Sequence, residues 1–260
     1  MNDEALSLQG PNKLRRRQLL SDPAEVGRWC IAVATFGLAV ARLILGDGML
    51  PDASAGRSVA QIGLLLAAGT AIAATAIPHR SAFWLGPGLF WTAMLVLAIG
   101  EGAPDISLIA LVEPLEAVFV VSAIAATTLG DRLRNLNGVA VAAGAGMLLL
   151  FGSIHLLHAT AVSGLVPSWT PLRHAIPYLT GSVQIAGGLL LACGRMRPVA
   201  ATAVALMFLS WLPLVHLQRL LAEPDSLDEW RFALTALALA GSLLIVGKGA
   251  VRGPSEKGAR

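Results

Sequence analysis

The residues best suited to chemistry are histidines, and four of the five in the chain lie between residues 138 and 219. His155 and His158 are three residues apart, which places their side chains about 60° apart on a helix, so both can face one pocket. His174 opens the next apolar run, and His216 lies near the end of a later one. Neutral imidazoles that converge can bind a transition metal or haem iron, or hydrogen-bond a quinone carbonyl. The alternative is that they only contact lipid headgroups or neighbouring helices.

Two carboxylates form a second candidate group. Glu113 and Glu116 interrupt an apolar run, at depths of roughly 10 and 15 Å below the outer membrane surface if that run spans inward from about residue 106. Carboxyl groups at such depths usually face a cavity or a partner, which makes both residues proton-handling candidates. Alternatively, a protonated glutamate forms a hydrogen bond to a neighbouring helix, or the membrane span begins later in the sequence than residue 106, so that the glutamates lie nearer the surface. With His155 and His158 they also resemble a carboxylate–histidine metal set.

Gln184 and Trp169 complete the candidate ligand residues. Gln184 lies deep within an apolar run, where it can hydrogen-bond either a ligand or a neighbouring helix. Trp169 and Tyr178 fit an aromatic belt at the membrane boundary or, as an alternative, a wall for a quinone ring. The sequence has no nucleotide-binding, zinc-protease or serine-hydrolase motif, so it contains no catalytic site of the kind found in soluble enzymes.

The elements that must position these residues are apolar helices. Hydrophobic residues make up 55% of the 260-residue chain, charged residues only 13%, and the mean hydropathy is +0.70. These values predict an all-α, polytopic transmembrane bundle, because a membrane-spanning helix needs about 20 apolar residues. Eight runs qualify, at about 27–46, 58–77, 82–100, 106–129, 138–160, 174–193, 198–219 and 230–247.

The charged residues predict the orientation of the spans. Basic residues precede the first span, recur in every second connection and fill the tail, while the alternate connections carry eight acidic residues and few basic ones. By the positive-inside rule, both termini are expected to be cytoplasmic. The net charge of +3 reflects this placement, and no basic patch that could bind nucleic acid is present.

The eight runs also suggest an internal duplication. SVAQIGLLLAAG at 58–69 resembles SVQIAGGLLLACG at 182–194, which pairs Gln61 with Gln184. The predicted domains are a basic segment (1–26), a first four-helix half (27–130), a second four-helix half (138–247) and a tail (248–260). Because each half has an even number of spans, the repeat would be parallel.

The second half, about 138–247, resembles a DoxX-type membrane domain. The resemblance rests on GSIHLLHA, VPSWTP, YLTGSVQIAGGLLL, GRMRPVAA and WLPLVHL, in this order. It implies a bacterial inner-membrane four-helix domain that in some relatives forms the membrane part of oxidoreductases, including thiosulfate:quinone oxidoreductases. The family often has an acidic residue where this chain has Gln184.

These features predict an integral membrane subunit or accessory of a redox complex, with an outer-leaflet histidine pocket. His155, His158 and His216 would bind a quinone or, less favoured, a haem or transition metal, and the partners would be the bilayer and other membrane or periplasmic subunits. Two alternatives stay open: a structural subunit without chemistry of its own, and a small-solute transporter.

Overall fold

The computed structural model of the protein describes residues 22–45, 84–100, 111–129, 135–194 and 196–249. All regular elements in these ranges are helical, and they contain no strand. We number the α-helices in chain order: α1 Pro23–Leu45, α2 Leu89–Gly100, α3 Val112–Leu129, α4 Leu136–Leu157, α5 Ala159–Leu165, α6 Ile176–Cys193, α7 Arg197–Trp211, α8 Leu217–Ala222 and α9 Leu227–Gly249. Two five-residue π-helical turns, Trp84–Gly88 and Leu212–His216, lead directly into α2 and α8.

Six helical segments within the described ranges are long and apolar enough to cross a membrane: Pro23–Arg42, Val112–Leu129, Leu136–Leu157, Ile176–Cys193, Arg197–Ala222 and Leu227–Lys248. A shorter apolar helix, Gly86–Val96, lies where the third span is predicted. The predicted span at 58–77 falls outside the described residues. The prediction of an all-α, multi-pass helical membrane protein is therefore confirmed.

Helix boundaries follow from local chemistry. Pro177 and Pro198 stand in the first turns of α6 and α7, where the missing backbone N–H of proline costs nothing. Gly194 ends α6 with φ +79°, a left-handed conformation that glycine adopts without a steric penalty. Asp228 and Glu229 lie in the first turn of α9, where negative charge interacts favourably with the helix dipole and stabilises the helix.

The last helix, α9, is the centre of the bundle. It packs against α1, α7 and α3, and 72% of its membrane-spanning window is buried, more than in any other described span. Its closest approach is to α1, where a Cβ added at Gly27 would lie 2.4 Å from the carbonyl oxygen of Gly241. Trp91 of α2 joins α1 by donating a hydrogen bond to Thr35 at 3.1 Å. Helices from the beginning and end of the chain thus share one core.

The two ends of the bundle differ in chemistry. His155, His174 and His216 lie at one end, which we call the histidine end, together with the Glu113–Arg231 ion pair between α3 and α9. At the opposite end Lys248 forms an ion pair with Asp22, so α1 begins where α9 finishes. Burial alone would raise the pKa of Asp22, but the hydrogen bonds from Lys248 and from the Ala24 backbone lower it below its usual value.

Candidate functional site

His155 is held in one orientation by its own helix. It is buried in the last turn of α4, and its Nδ1 lies 2.8 Å from the carbonyl oxygen of Phe151, four residues earlier. A carbonyl oxygen can only accept, so Nδ1 carries the proton and the neutral ring keeps its lone pair on Nε2. The ring stacks on Trp211 at the end of α7, with centroids 5.5 Å apart and an angle of 26° between the planes. His155 therefore joins α4 to α7.

An aromatic cluster surrounds this stack. Phe208 of α7 meets Phe151 of α4 edge to face at 6.4 Å, and it meets Trp211 in the same way at 5.8 Å. These separations lie within the range that aromatic pairs favour. The α4-facing side of α7 is consequently filled by rings.

A glycine contact brings α6 against the same part of α4. A Cβ added at Gly152 would lie 2.7 Å from the Gly181 carbonyl oxygen, and one added at Gly181 would lie 3.0 Å from the Cβ of His155. One turn along α6, Gln184 is 0% exposed, and within the described ranges neither its Oε1 nor its Nε2 has a hydrogen-bond partner. Small residues allow this close helix approach, and the approach encloses the amide. The amide is therefore a buried polar group whose hydrogen bonds are unsatisfied within the described residues.

His216 lies on a different kind of turn. It ends the π-helical turn Leu212–His216, and the Leu212 carbonyl accepts from the backbone N–H of Leu217, five residues on. The Nδ1 of His216 is buried and has no hydrogen-bond partner among the described residues. This differs from His155, whose Nδ1 binds the carbonyl four residues back. His216 is thus free to bond a group from outside its own helix.

His216 lines an apolar groove of about 300 Å³, which we call the His216 groove. The groove runs between the π-helical turn with α8 on one side and α9 on the other. Its lining residues are Leu212, Pro213, His216, Leu217, Leu220, Trp230, Ala233, Leu234 and Leu237. His216 is the only residue among them with an ionisable side chain, so the groove suits an apolar ligand that carries one hydrogen-bonding group.

An ion pair stands beside the groove. Arg219, one turn beyond His216 on α8, binds the carboxylate of Glu229 through both Nε, at 2.7 Å from Oε2, and Nη2. The Glu229 side chain is buried, whereas that of Arg219 is partly exposed. The neighbouring Trp230 lines the groove and donates its indole N–H to the Pro224 carbonyl at 2.9 Å. The pair fixes the start of α9 against α8 and so holds the two walls of the groove together.

The four histidines do not converge on one pocket. His155 packs between α4 and α7, whereas His216 lines the groove on the α9 side. His158 is exposed at the junction of α4 and α5, and His174 is exposed with its Nδ1 3.2 Å from the Ser163 hydroxyl. The part of the chain that the structure describes contains no group of three or more His, Cys, Asp or Glu side chains that could hold a metal ion.

The other predicted residues are distributed around the histidine end. Glu113 lies in the first turn of α3 and pairs with Arg231 rather than with a histidine, and Glu116 follows one turn later, half-buried. Trp169 donates its indole N–H to Gln218 of α8 at 3.0 Å. The predicted combination of these glutamates with His155 and His158 is not assembled.

Three residues of the site were not identified as such from the sequence. Trp211 stacks on His155, and the Arg219–Glu229 pair braces the His216 groove. The sequence signal for this pair is a basic residue near the end of one helix followed by acidic residues at the start of the next, which brings opposite charges to the same end of the bundle.

A family model described as a domain of unknown function, DUF8561, matches residues 145–246. The match covers the His155 stack, Gln184, the His216 groove and the Arg219–Glu229 pair. Neither a curated protein nor a solved structure matches the chain.

Proposed function

We propose that the protein is an integral membrane subunit or accessory of a redox complex and binds a quinone-type ligand in the His216 groove. The observation that carries this proposal is His216, whose side chain lines an otherwise apolar groove and whose buried Nδ1 has no hydrogen-bond partner among the described residues. A buried polar atom without a partner costs free energy, and ligands commonly supply the missing bond.

The chemistry of the groove fits a quinone better than a metal. A neutral imidazole can donate to a quinone carbonyl through one tautomer and accept from a quinol hydroxyl through the other. The leucines and Trp230 suit an apolar ring and part of a hydrocarbon tail. His155 has a positioning role here, since it fixes Trp211, the residue before the π-helical turn. Glu113 and Glu116 are the proton-handling candidates of this proposal, and Glu113 is paired with Arg231.

The proposal includes eight spans with both termini in the cytoplasm of a bacterium, and therefore an inner-membrane location. The Lys248–Asp22 ion pair supports an even number of spans, because the start of α1 and the end of α9 lie at the same end of the bundle. Six candidate spans and the shorter helix Gly86–Val96 are described. The apolar run at 58–77 would supply the eighth crossing.

The DoxX-type resemblance of residues 138–247 and the tandem duplication also belong to this proposal. The matched range 145–246 falls within that second half and supports treating it as a unit. A transporter built on the duplication would place broken helices at corresponding positions. The π-helical turns with Pro87 and Pro213 instead lie at the start of one span and towards the end of the other. We therefore favour the redox subunit.

Binding of a short-chain quinone to the purified full chain in lipid nanodiscs tests the site. We expect saturable binding by calorimetry, and a loss of at least about tenfold in affinity for His216→Leu, because one hydrogen bond to the head group disappears. His158→Leu is the matched control, since His158 is exposed and lies away from the groove, and it should bind as the unsubstituted protein does. Equal affinity in both variants, or no saturable binding at all, would refute the quinone site.

Purification from native membranes tests the complex. Mass spectrometry of copurifying proteins, with extraction of bound quinone and an absorption and metal scan, should yield a redox partner together with quinone. A partner without any ligand on this chain would favour the structural-subunit alternative. A solitary protein without ligand would favour the transporter.

A further inference from the structure

The connection between α4 and α6, residues 158–175, is unusual for a segment that follows a membrane span. No Asp, Glu, Lys or Arg occurs between Arg134 and Arg173. Helix α4 has 22 residues and is therefore about 33 Å long, enough by itself to cross the hydrocarbon layer. The following connection is consequently beyond the span and yet almost uncharged.

The connection between α8 and α9, at the same end of the bundle, is acidic, in contrast to residues 158–175. It carries Glu223 and Asp225, both exposed, and leads into Asp228 and Glu229 at the start of α9. Such acidic residues are typical of a loop in water. The two connections at this end of the bundle therefore differ: the side chains of the α8–α9 connection suit water, whereas those of 158–175 suit a less polar environment.

The connection 158–175 turns one face to the protein and the other outward. Ala159, Ser163 and Val166 are buried, and Ser163 accepts a hydrogen bond from His174 while donating to the Thr160 carbonyl. On the outward face, Leu165 is 48%, Trp169 61% and Leu172 82% exposed. The segment is thus anchored on its polar contacts and exposes large apolar side chains.

The exposed part of Trp169 is apolar throughout. Its only polar side-chain atom, the indole N–H, is used by Gln218 at 3.0 Å, so the outward surface of the ring has no hydrogen bond to offer to water. Backbone groups are also used internally: Thr170 N–H bonds the Pro167 carbonyl and Ala175 N–H bonds that of Leu172. Leu172 itself has φ +54°, a conformation that leucine rarely adopts and that holds its side chain outward.

We infer that residues 158–175 lie in the boundary between headgroups and acyl chains at the histidine end, with Leu165, Trp169 and Leu172 inserted into lipid. The occupant of this surface is the bilayer, because the segment follows an uncharged span, contains no charged residue before Arg173, uses the Ser163 hydroxyl and the Trp169 indole N–H in internal hydrogen bonds, and carries a tryptophan at the level where aromatic belts form. The inference does not depend on quinone binding.

Single cysteines in the full chain test the inference. In a Cys30→Ser, Cys193→Ser background, Leu172→Cys is placed in nanodiscs, which leave both membrane faces open to reagent. Glu223→Cys is the control in the acidic connection, and Leu206→Cys is the lipid control, because Leu206 is an exposed residue in the middle of α7. Leu165→Cys serves as a second test position in case Leu172→Cys does not fold, which gel filtration would reveal.

A water-soluble maleimide should modify Leu172→Cys at least about tenfold more slowly than Glu223→Cys, because the reactive thiolate is disfavoured in apolar surroundings. A fluorophore attached to the Leu172→Cys variant should be quenched by brominated phospholipids, as should one on the Leu206→Cys variant, whereas one on the Glu223→Cys variant should not be. Rapid modification without quenching would place the segment in water and overturn the inference. Slow modification without quenching would mean that protein covers it, which also overturns the inference and identifies a partner surface.

Discussion

His155 and His216 lie at the same end of the bundle, and each belongs to the last turns of a long apolar helix. They differ in the hydrogen bonding of Nδ1 and in the surroundings of the ring. The Nδ1 of His155 bonds the carbonyl four residues earlier, and its ring is covered by Trp211. The Nδ1 of His216 has no partner in the part of the chain that the structure describes, and its ring lines a groove of about 300 Å³. One histidine contributes a hydrogen bond and a ring stack to the fold, and the other is the ligand-binding residue of the proposed function.

The difference comes from the helical turn that carries each residue. In the α-helical turn of α4 the carbonyl four residues back is in reach of the side chain. At Pro213 the chain adopts a wider π-helical turn, whose Leu212 carbonyl binds Leu217 N–H instead. Such turns often mark functional sites, because they cost stability and redirect side chains. A histidine among apolar neighbours in the sequence can therefore take either role, and the local backbone conformation decides which.

The largest effect is expected where α4 and α6 touch beside His155. A Cβ at Gly152 would lie 2.6 Å from Ile185 and 2.7 Å from the Gly181 carbonyl oxygen, so Gly152→Val should lower the free energy of unfolding by about 1–3 kcal/mol. Gly146→Val on the same helix is the control, since a Cβ there meets no atom of the described residues within 4 Å. Thermal and denaturant unfolding in detergent measure both. Equal losses would mean that the helices do not approach as described.

Replacing each histidine tests the comparison directly. His155→Leu should lower the free energy of unfolding by about 1 kcal/mol or more, because it removes a hydrogen bond and a ring stack. His216→Leu should leave that free energy unchanged or slightly raised when no ligand is added, since an unpartnered buried atom disappears. The same unfolding measurements decide. A larger loss for His216→Leu than for His155→Leu would reverse the assigned roles.

The smallest effect, with the opposite sign, is expected at Gln184. Gln184→Leu should raise the free energy of unfolding by up to about 1 kcal/mol, because it removes an amide that is fully buried without a partner. Gln184→Asn keeps a buried amide and should bring no such gain. A clear destabilisation by Gln184→Leu would instead reveal a partner, such as a bound water or ligand, on the amide.

Much of the helical architecture is predictable from the sequence. The predicted span at 174–193 corresponds to α6 at Ile176–Cys193, and the predicted span at 230–247 lies within α9 at Leu227–Gly249. Apolar runs of this length have few other ways to satisfy their backbone groups in a membrane. The site was predictable only as a region: the sequence singles out His216 and Gln184 as candidates, but the structure does not bring them together with His158.

Hydropathy and charge placement by themselves determined that this chain forms a multi-pass helical bundle and that four of its five histidines, those between residues 138 and 219, lie near one end, because both depend on length and composition along single segments. Only the tertiary structure decided which histidine is bonded and which is open. That outcome depends on the π-helical turn at Pro213, whose hydrogen bond spans five residues instead of four. It also depends on the glycines that let α4 and α6 touch, and on α9, which forms one wall of the groove from a later part of the sequence. The pattern within any one apolar segment does not contain these features, because they arise from the local backbone and from contacts between segments.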